Sequence, residues 1–356
     1  MPKKVQTSII PQLTAFDVFA GAGGLSVGLE QAGFRVIGAI EIDPTAADTY
    51  EQNHPGVKLW KQDVQTLTAQ EILEKLKLKP GQLDLLAGCP PCQGFSSMRT
   101  RNGSVKVEDV RNDLVRDFLR LIEGLRPKAV MLENVPELAK DVRMAWITEK
   151  LGELGYYAGP DSFEIRNVKD FEVPQSRRRL ILMTSLRGKV VFPKRSTKKI
   201  TVRGAIGHLP DPQASDDLMH RMVMKNGSKV LEMIKAVPVN GGSRSDLPEE
   251  MQLDCHKRLK RGYFDVYGRM SWDDVAPTIT GGCTNPSKGR FLHPQEHRAI
   301  SLREAALLQG FPECYGFSLK RGRVVASLMI GNALPPAFVR HHAVAIAETL
   351  RSAQTG

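Results

Sequence analysis

Cysteine is scarce in this chain, with five among 356 residues. So sparse and odd a set excludes a disulfide-built secreted scaffold and fits a compartment where thiols stay reduced. Long apolar runs are missing as well: no stretch approaches the roughly 18 consecutive apolar residues of a membrane span. The opening residues, Met1-Pro-Lys-Lys-Val-Gln-Thr-Ser, contain no apolar run of signal-peptide length. A cytoplasmic protein with no membrane partner is therefore expected. Internal repeats and low-complexity tracts are also absent. What remains is ordinary globular composition, 41% hydrophobic and 25% charged, which excludes a disordered or collagen-like chain. At about 100–200 residues per domain, the length allows two or three domains.

Charge is unevenly placed. The 50 Lys and Arg against 39 Asp and Glu give a formal net charge of +11. Residues 1–186 hold 24 basic and 24 acidic side chains and contribute nothing to it. Residues 187–266 hold 16 against 9, and residues 267–356 hold 10 against 6. A neutral half joined to a basic half points to chemistry in the first and a polyanion at the second.

The first half also carries the regular pattern. Short apolar strands are expected at 15–22, 35–41, 83–87, 129–133 and 180–184, with helical spacing at 25–32, 69–78 and 114–125. That alternation implies an α/β fold with a largely parallel sheet covered on both faces. After about residue 186 the rhythm stops. The stretch 187–290 is rich in Lys, Arg, Gly, Pro and Ser and reads as a second, irregular domain of short strands and long loops. Helical pattern returns at 301–309 and 336–350.

Several segments could carry chemistry. Phe19-Ala-Gly21-Ala-Gly23-Gly24 closes the first strand, so a ligand can approach the backbone closely beside amides at a helix start. Glu41 ends the second strand, where a carboxylate can accept both hydroxyls of a ribose; Asp63 ends a third element, where an adenine amino group could sit. The spacing does not separate a dinucleotide from another adenosine-bearing cofactor. Ala87-Gly-Cys89-Pro-Pro-Cys92-Gln directly follows a strand. Its cysteines read as zinc ligands, as a redox pair, or as one nucleophile on a proline-stiffened loop at the carboxyl edge of the sheet. No second Cys-x-x-Cys exists to complete a zinc site, and no metal is expected. Glu133 puts an acid at the end of another buried strand at that same edge, which favours the nucleophile. The basic run Gln175-Ser-Arg177-Arg178-Arg179 enters an apolar strand, so at least one guanidinium needs a partner, and alternation sends Arg177 and Arg179 to one face.

Six motifs in a fixed order complete the reading. Asp17-Val-Phe-Ala-Gly-Ala-Gly-Gly, Gly88-Cys-Pro-Pro-Cys-Gln-Gly-Phe-Ser, Glu133-Asn-Val and Gln175-Ser-Arg-Arg-Arg are followed by Arg298-Ala-Ile-Ser-Leu-Arg-Glu-Ala-Ala-Leu-Leu-Gln-Gly-Phe-Pro312 and Gly331-Asn-Ala-Leu-Pro-Pro336. The chain closely resembles the DNA (cytosine-5) methyltransferases, especially the compact bacterial modification enzymes, over 14–186 and about 268–345. Ala22, Leu334 and the extra Pro90 are small departures from the pattern.

The resemblance implies a Rossmann-like, S-adenosylmethionine-dependent methyltransferase sheet with helices on both faces, plus a smaller irregular DNA-recognition domain. The catalytic and cofactor domain would span 13–190, completed by 325–356. The small domain would span 191–324, with the target recognition region at about 187–267, the most basic segment. Cys92 would be the nucleophile at cytosine C6, Glu133 would hold or protonate N3, Arg179 would contact O2, and Arg177 would support the site or the DNA backbone. Phe19, Gly21, Gly23, Gly24, Leu25, Glu41, Ile42, Asp63, Val64 and Asn332 would bind S-adenosylmethionine and its product S-adenosylhomocysteine. Cys89 reads as structural, and the polar segment 97–107 as a lid over Cys92. The implied partner is double-stranded DNA, met by a monomer associated with the nucleoid, in a restriction-modification role with a cognate endonuclease acting separately or in an epigenetic marking role. A tRNA cytosine methyltransferase shares the motifs but has a short Cys-Phe-Thr signature absent here. A repressor would not need Cys92, Glu133 and Arg179 intact, and Ser26 breaks the glycine pattern of an NAD oxidoreductase.

Overall fold

The computed structural model describes residues 12–91, 114–252 and 265–352. Cys92, the proposed lid at 97–107 and Cys255 lie outside them. Seven strands form one sheet in the order β3-β2-β1-β4-β5-β7-β6. They are β1 (Thr14–Val18), β2 (Arg35–Ile40), β3 (Lys58–Trp60), β4 (Leu85–Gly88), β5 (Ala129–Asn134), β6 (Phe163–Asn167) and β7 (Arg178–Ser185). The pairs β1–β2, β1–β4, β2–β3 and β4–β5 are parallel, whereas β7 runs antiparallel to both β5 and β6. The segment between β6 and β7 is too short for a crossover helix, so β7 turns back beside β6. As a result Arg177–Arg179 enters the sheet at the same edge that the parallel strands leave.

Helices fill the crossovers: α1 (Gly24–Gln31), α2 (Pro44–Asn53), α3 (Ala69–Leu76), α4 (Leu114–Leu125) and α5 (Val142–Glu153). Their starts follow from local chemistry. Asp43 accepts from the amides of Thr45 and Ala46 at α2, with Pro44 as the first helical residue. Thr68 and Glu71 make a reciprocal capping box at α3.

One face of the sheet buries Phe16, Val18, Leu86, Leu132 and Leu182 with Phe118 and Ile122 of α4 and Ile147 of α5. The other buries Ala15, Ala87 and Met131 with Leu25 and Leu29 of α1 and Phe338, Val339 and Ile346 of the C-terminal helix. Gly28 lets α1 approach that helix: an added Cβ would lie 2.5 Å from the Pro336 carbonyl.

The second half is irregular, but not in the way its composition suggests. Among the described residues of 187–300 there are isolated bridges rather than the expected short strands. Short helices α6 (Val202–Ile206), α7 (Leu218–Arg221) and α8 (Ser228–Ala236) take their place. Frequent glycine and proline stop both ladders and long helices. Regular structure returns as α9 (Leu302–Leu308), α10 (Gly322–Asn332) and α11 (Pro336–Ser352). A third core joins Leu302, Leu308 and Ile330 from these helices to Ala22, Val27 and Ala46 beside the glycine turn. The 324/325 division falls within α10. Together α10 and α11 span 31 residues, long and apolar enough to cross a membrane by length and composition. They are instead two core helices separated by 333–335, with α11 packed on the sheet.

Candidate active site

The carboxyl ends of parallel strands gather ligands where the strand order reverses, here between β1 and β4. A cavity of about 760 Å³ opens at that edge. Phe19, Gly21, Gly24 and Leu25 line it after β1, Glu41 and Ile42 after β2, and Asp63 and Val64 after β3; Asn332 comes from the end of α10. Cys89, Pro90 and Pro91 follow β4, Glu133 and Asn134 end β5, and Arg177 and Arg179 lead β7. Of the described residues expected at the site, only Gly23 is not part of this wall. Cys92 would follow Pro91 directly.

The glycine turn is built for close approach. Phe19 and Gly21 have φ of 65° and 55°, and an added Cβ at Gly21 would meet nothing within 4 Å. The turn's shape is held by Glu41, whose carboxylate accepts from the Gly21 and Asp43 amides, each at 2.7 Å. Burial raises the Glu41 pKa, and those amide bonds oppose the rise. Ile42 is 63% exposed, an apolar flank at the mouth of the cavity.

Beneath the turn, Asp17 is fully buried on β1. Its Oδ2 accepts from the Ser26 hydroxyl at 2.7 Å, and the Tyr50 hydroxyl lies 2.7 Å from the same serine. Oδ1 has no partner among the described residues. Burial pushes the Asp17 pKa up to about 8, so near neutral pH this carboxyl keeps its proton. The unfolded chain releases that proton near pH 4, so the group's stabilising contribution is fully present below pH 4 and is lost as pH rises to about 8. Asp17→Asn is expected to gain on the wild type by up to about 1.4 kcal/mol per pH unit across that window. Urea unfolding of both proteins at pH 5 and pH 7.5 measures it; a gap independent of pH would contradict it.

At the other end of the cavity, Glu133 Oε1 lies 2.7 Å from Arg179 Nε. Arg179 Nη1 also donates to the Arg178 carbonyl at 2.7 Å, which fixes the guanidinium. Asn134 donates to the Pro90 carbonyl at 3.0 Å and accepts from the Val135 amide, so it ties β5 to the two prolines that follow β4. The Cys89 thiol is pushed well above its ordinary value by burial and then by Glu133. It stays a thiol, a poor nucleophile.

Arg177 and Gln175 serve the architecture. Arg177 Nη1 donates to the carbonyls of Ile279 and Gly331 at 3.1 and 2.8 Å. Burial pulls its pKa down to about 9, aided by the Arg179 charge, and it remains charged at neutral pH. The guanidinium is 6% exposed and bonded inward. Gln175, fully buried, donates to the Leu308 carbonyl and accepts from the Ile279 amide. Sequence reading gave no role to Gln175 or Asn134. Both stood inside quoted motifs, but their partners are backbone groups without a sequence signature.

Residues 13–348 match the C-5 cytosine-specific DNA methylase family. The chain belongs to that family. It is 36% identical over 340 residues to the Type II methylase M.HgiDII of Herpetosiphon aurantiacus, covering 91% of this chain and 92% of that one. It is 34% identical over 341 residues to the Type II methyltransferase M1.HphI of Haemophilus parahaemolyticus, covering 94% and 86%. Among solved structures, a DNA modification methyltransferase encoded within an E. coli prophage has the same fold, with a TM-score of 0.72 at 23% identity, covering 95% and 99%. The methylase is thus an S-adenosylmethionine-dependent DNA (cytosine-5) methyltransferase. The cavity fits that cofactor: an open glycine turn, a carboxylate at Glu41, an apolar flank at Ile42 and an acid at Asp63 suit its amino-acid, ribose and adenine parts.

Proposed function

We propose that the methylase flips a target cytosine out of duplex DNA and methylates it at C5, with Cys92, Glu133 and Arg179 handling the base. The Cys92 thiolate bonds to C6, and the C5–C6 double bond becomes enamine-like, which turns C5 into a carbon nucleophile. Glu133 holds or protonates N3 and contacts the exocyclic amine, balancing charge that develops during attack. Arg179 contacts O2 while keeping Glu133 oriented, and Arg177 supports both from behind. Bound S-adenosylmethionine supplies an electrophilic sulfonium methyl and yields S-adenosylhomocysteine. Loss of the C5 proton and departure of the Cys92 sulfur from C6 restore the ring. Flipping costs on the order of a few kcal/mol, offset by pocket and backbone contacts.

The observation that carries the reading is the Glu133–Arg179 pair, which shares one cavity with the Glu41-braced glycine turn. Phe19, Gly21, Gly24, Leu25, Glu41, Ile42, Asp63, Val64 and Asn332 hold the cofactor in this reading, and Gly23 acts through the turn. Residues 13–190 with 325–356 form the catalytic part, and 191–324 the part that contains the target recognition region. The methylase acts as a monomer in the bacterial cytoplasm, on the nucleoid, and protects DNA from a separate cognate endonuclease.

Two measurements test this. Glu41→Ala is expected to weaken S-adenosylhomocysteine binding by calorimetry roughly tenfold or more, because ribose partners and the brace on Gly21 go together. Unchanged affinity would remove the cofactor from this turn. Duplex affinity is expected to fall more than about tenfold between 50 and 200 mM salt, since the excess positive charge lies in the recognition half. A flat salt response would contradict that.

A further inference from the structure

Gly23 leads away from the cavity to a contact from the far end of the chain. It has φ of 95°, and an added Cβ would overlap the Tyr315 hydroxyl and lie 2.7 Å from His54 Nε2. The Tyr315 hydroxyl donates to the carbonyl of Ala22, the neighbouring residue of the glycine turn, at 2.5 Å. His54 Nε2 stands 3.1 Å from the same hydroxyl, and His54 Nδ1 lies 3.1 Å from Glu30 Oε1 on α1. Tyr315 and His54 are 5% and 4% exposed, so neither contact competes with bulk water.

The hydroxyl is itself aimed by fixed groups. Asn53 of α2 brackets the next residue, donating to the Gly316 carbonyl at 2.9 Å and accepting from its amide at 3.1 Å. Arg303 of α9 donates to the Tyr315 carbonyl at 2.8 Å. The aromatic ring rests on Phe311, with centroids 4.7 Å apart. Neither Tyr315 nor His54 is part of the cavity wall, but Ala22, whose carbonyl the hydroxyl holds, is. A donor aimed at a turn carbonyl from a rigid seat can fix how the neighbouring amides are presented.

We infer that Tyr315, seated by His54, is a positioning residue for cofactor binding: its hydroxyl holds the Ala22–Gly23 peptide so that the turn is already in its ligand-accepting shape. This rests on the reading that the turn binds the cofactor. Removing the hydroxyl leaves the Ala22 carbonyl without its donor and lets the turn populate other conformations, so affinity falls while the chemistry beyond it does not.

The test compares Tyr315→Phe, His54→Phe and Glu41→Ala by S-adenosylhomocysteine calorimetry on the whole chain, with steady-state kinetics alongside. Tyr315→Phe is expected to weaken binding roughly fivefold to tenfold, with KM for S-adenosylmethionine rising in parallel and kcat falling less than twofold. The double Tyr315→Phe/His54→Phe variant is expected to match Tyr315→Phe, because both changes act through one hydroxyl. An affinity within twofold of wild type for Tyr315→Phe, with Glu41→Ala impaired, overturns the inference alone. A fall in kcat at unchanged KM overturns it too. Normal binding in Glu41→Ala overturns the cofactor site itself. Should Tyr315→Phe not fold, His54→Phe is read by the same criteria, with a weakening above twofold required.

Discussion

Cys92→Ala is expected to abolish methyl transfer, by more than about a thousandfold, while duplex binding persists or strengthens. Cytosine C5 is too weak a nucleophile to take a methyl group unless C6 carries an added electron donor, and no other described group offers one. Cys89 cannot substitute. Its thiol is held well above its ordinary pKa by burial and by Glu133, and its backbone directly follows β4. In the proposed mechanism DNA binding needs no sulfur at this position. Gel-shift titration and methyl transfer with labelled S-adenosylmethionine, on the same preparation, separate the two effects. Turnover near the wild-type level would remove the covalent step from the mechanism.

Glu133→Gln should lower kcat by roughly a hundredfold to a thousandfold, with a much smaller change in cofactor affinity. The carboxylate has two jobs that an amide performs poorly. In the proposed mechanism it meets the developing charge at N3 and the exocyclic amine, and it pairs with Arg179, whose Nε lies 2.7 Å away. Glutamine keeps the shape but removes the anion, so the guanidinium keeps its bond to the Arg178 carbonyl and loses its charged partner. Because Glu133 and Arg179 act as a unit, a Glu133→Gln/Arg179→Lys double variant is expected to be far less than additive. Single-turnover rates with a defined duplex measure both. Strict additivity would mean that the two side chains serve separate steps.

Much of this site was legible before any coordinates because its residues sit where apolar strand runs stop. Glu41, Glu133 and the Phe19-to-Gly24 turn each end a strand that its apolar run makes visible, and ligands of open α/β sheets collect at those ends. The direction of β7 was not legible, since a buried strand reads the same both ways; only the short link from β6 decides it. β3 is three residues long, too short for its pattern to show that the element before Asp63 is a strand. The partners of Arg177 were hidden for a different reason. They are backbone carbonyls 102 and 154 positions away, and any residue supplies a carbonyl. The same holds for Tyr315 and Ala22, 293 positions apart. Side-chain chemistry announces itself by residue type, whereas side-chain-to-backbone ties appear only once the chain is folded.

The charge count gains meaning from this arrangement. The catalytic half is formally neutral by count, and Arg177 and Arg179 at its centre are bonded inward to carbonyls and to Glu133. The formal surplus lies in 187–356, where the proposed function expects the phosphate contacts.

Every step above depends on methylation of cytosine at C5 in duplex DNA. Incubating the methylase with S-adenosylmethionine and duplexes of varied sequence, followed by bisulfite sequencing, tests it most directly. Conversion-resistant cytosines are expected in one short sequence context and are expected to be absent with the Cys92→Ala variant. Full conversion at every cytosine, from enzyme that binds both DNA and cofactor, would contradict it.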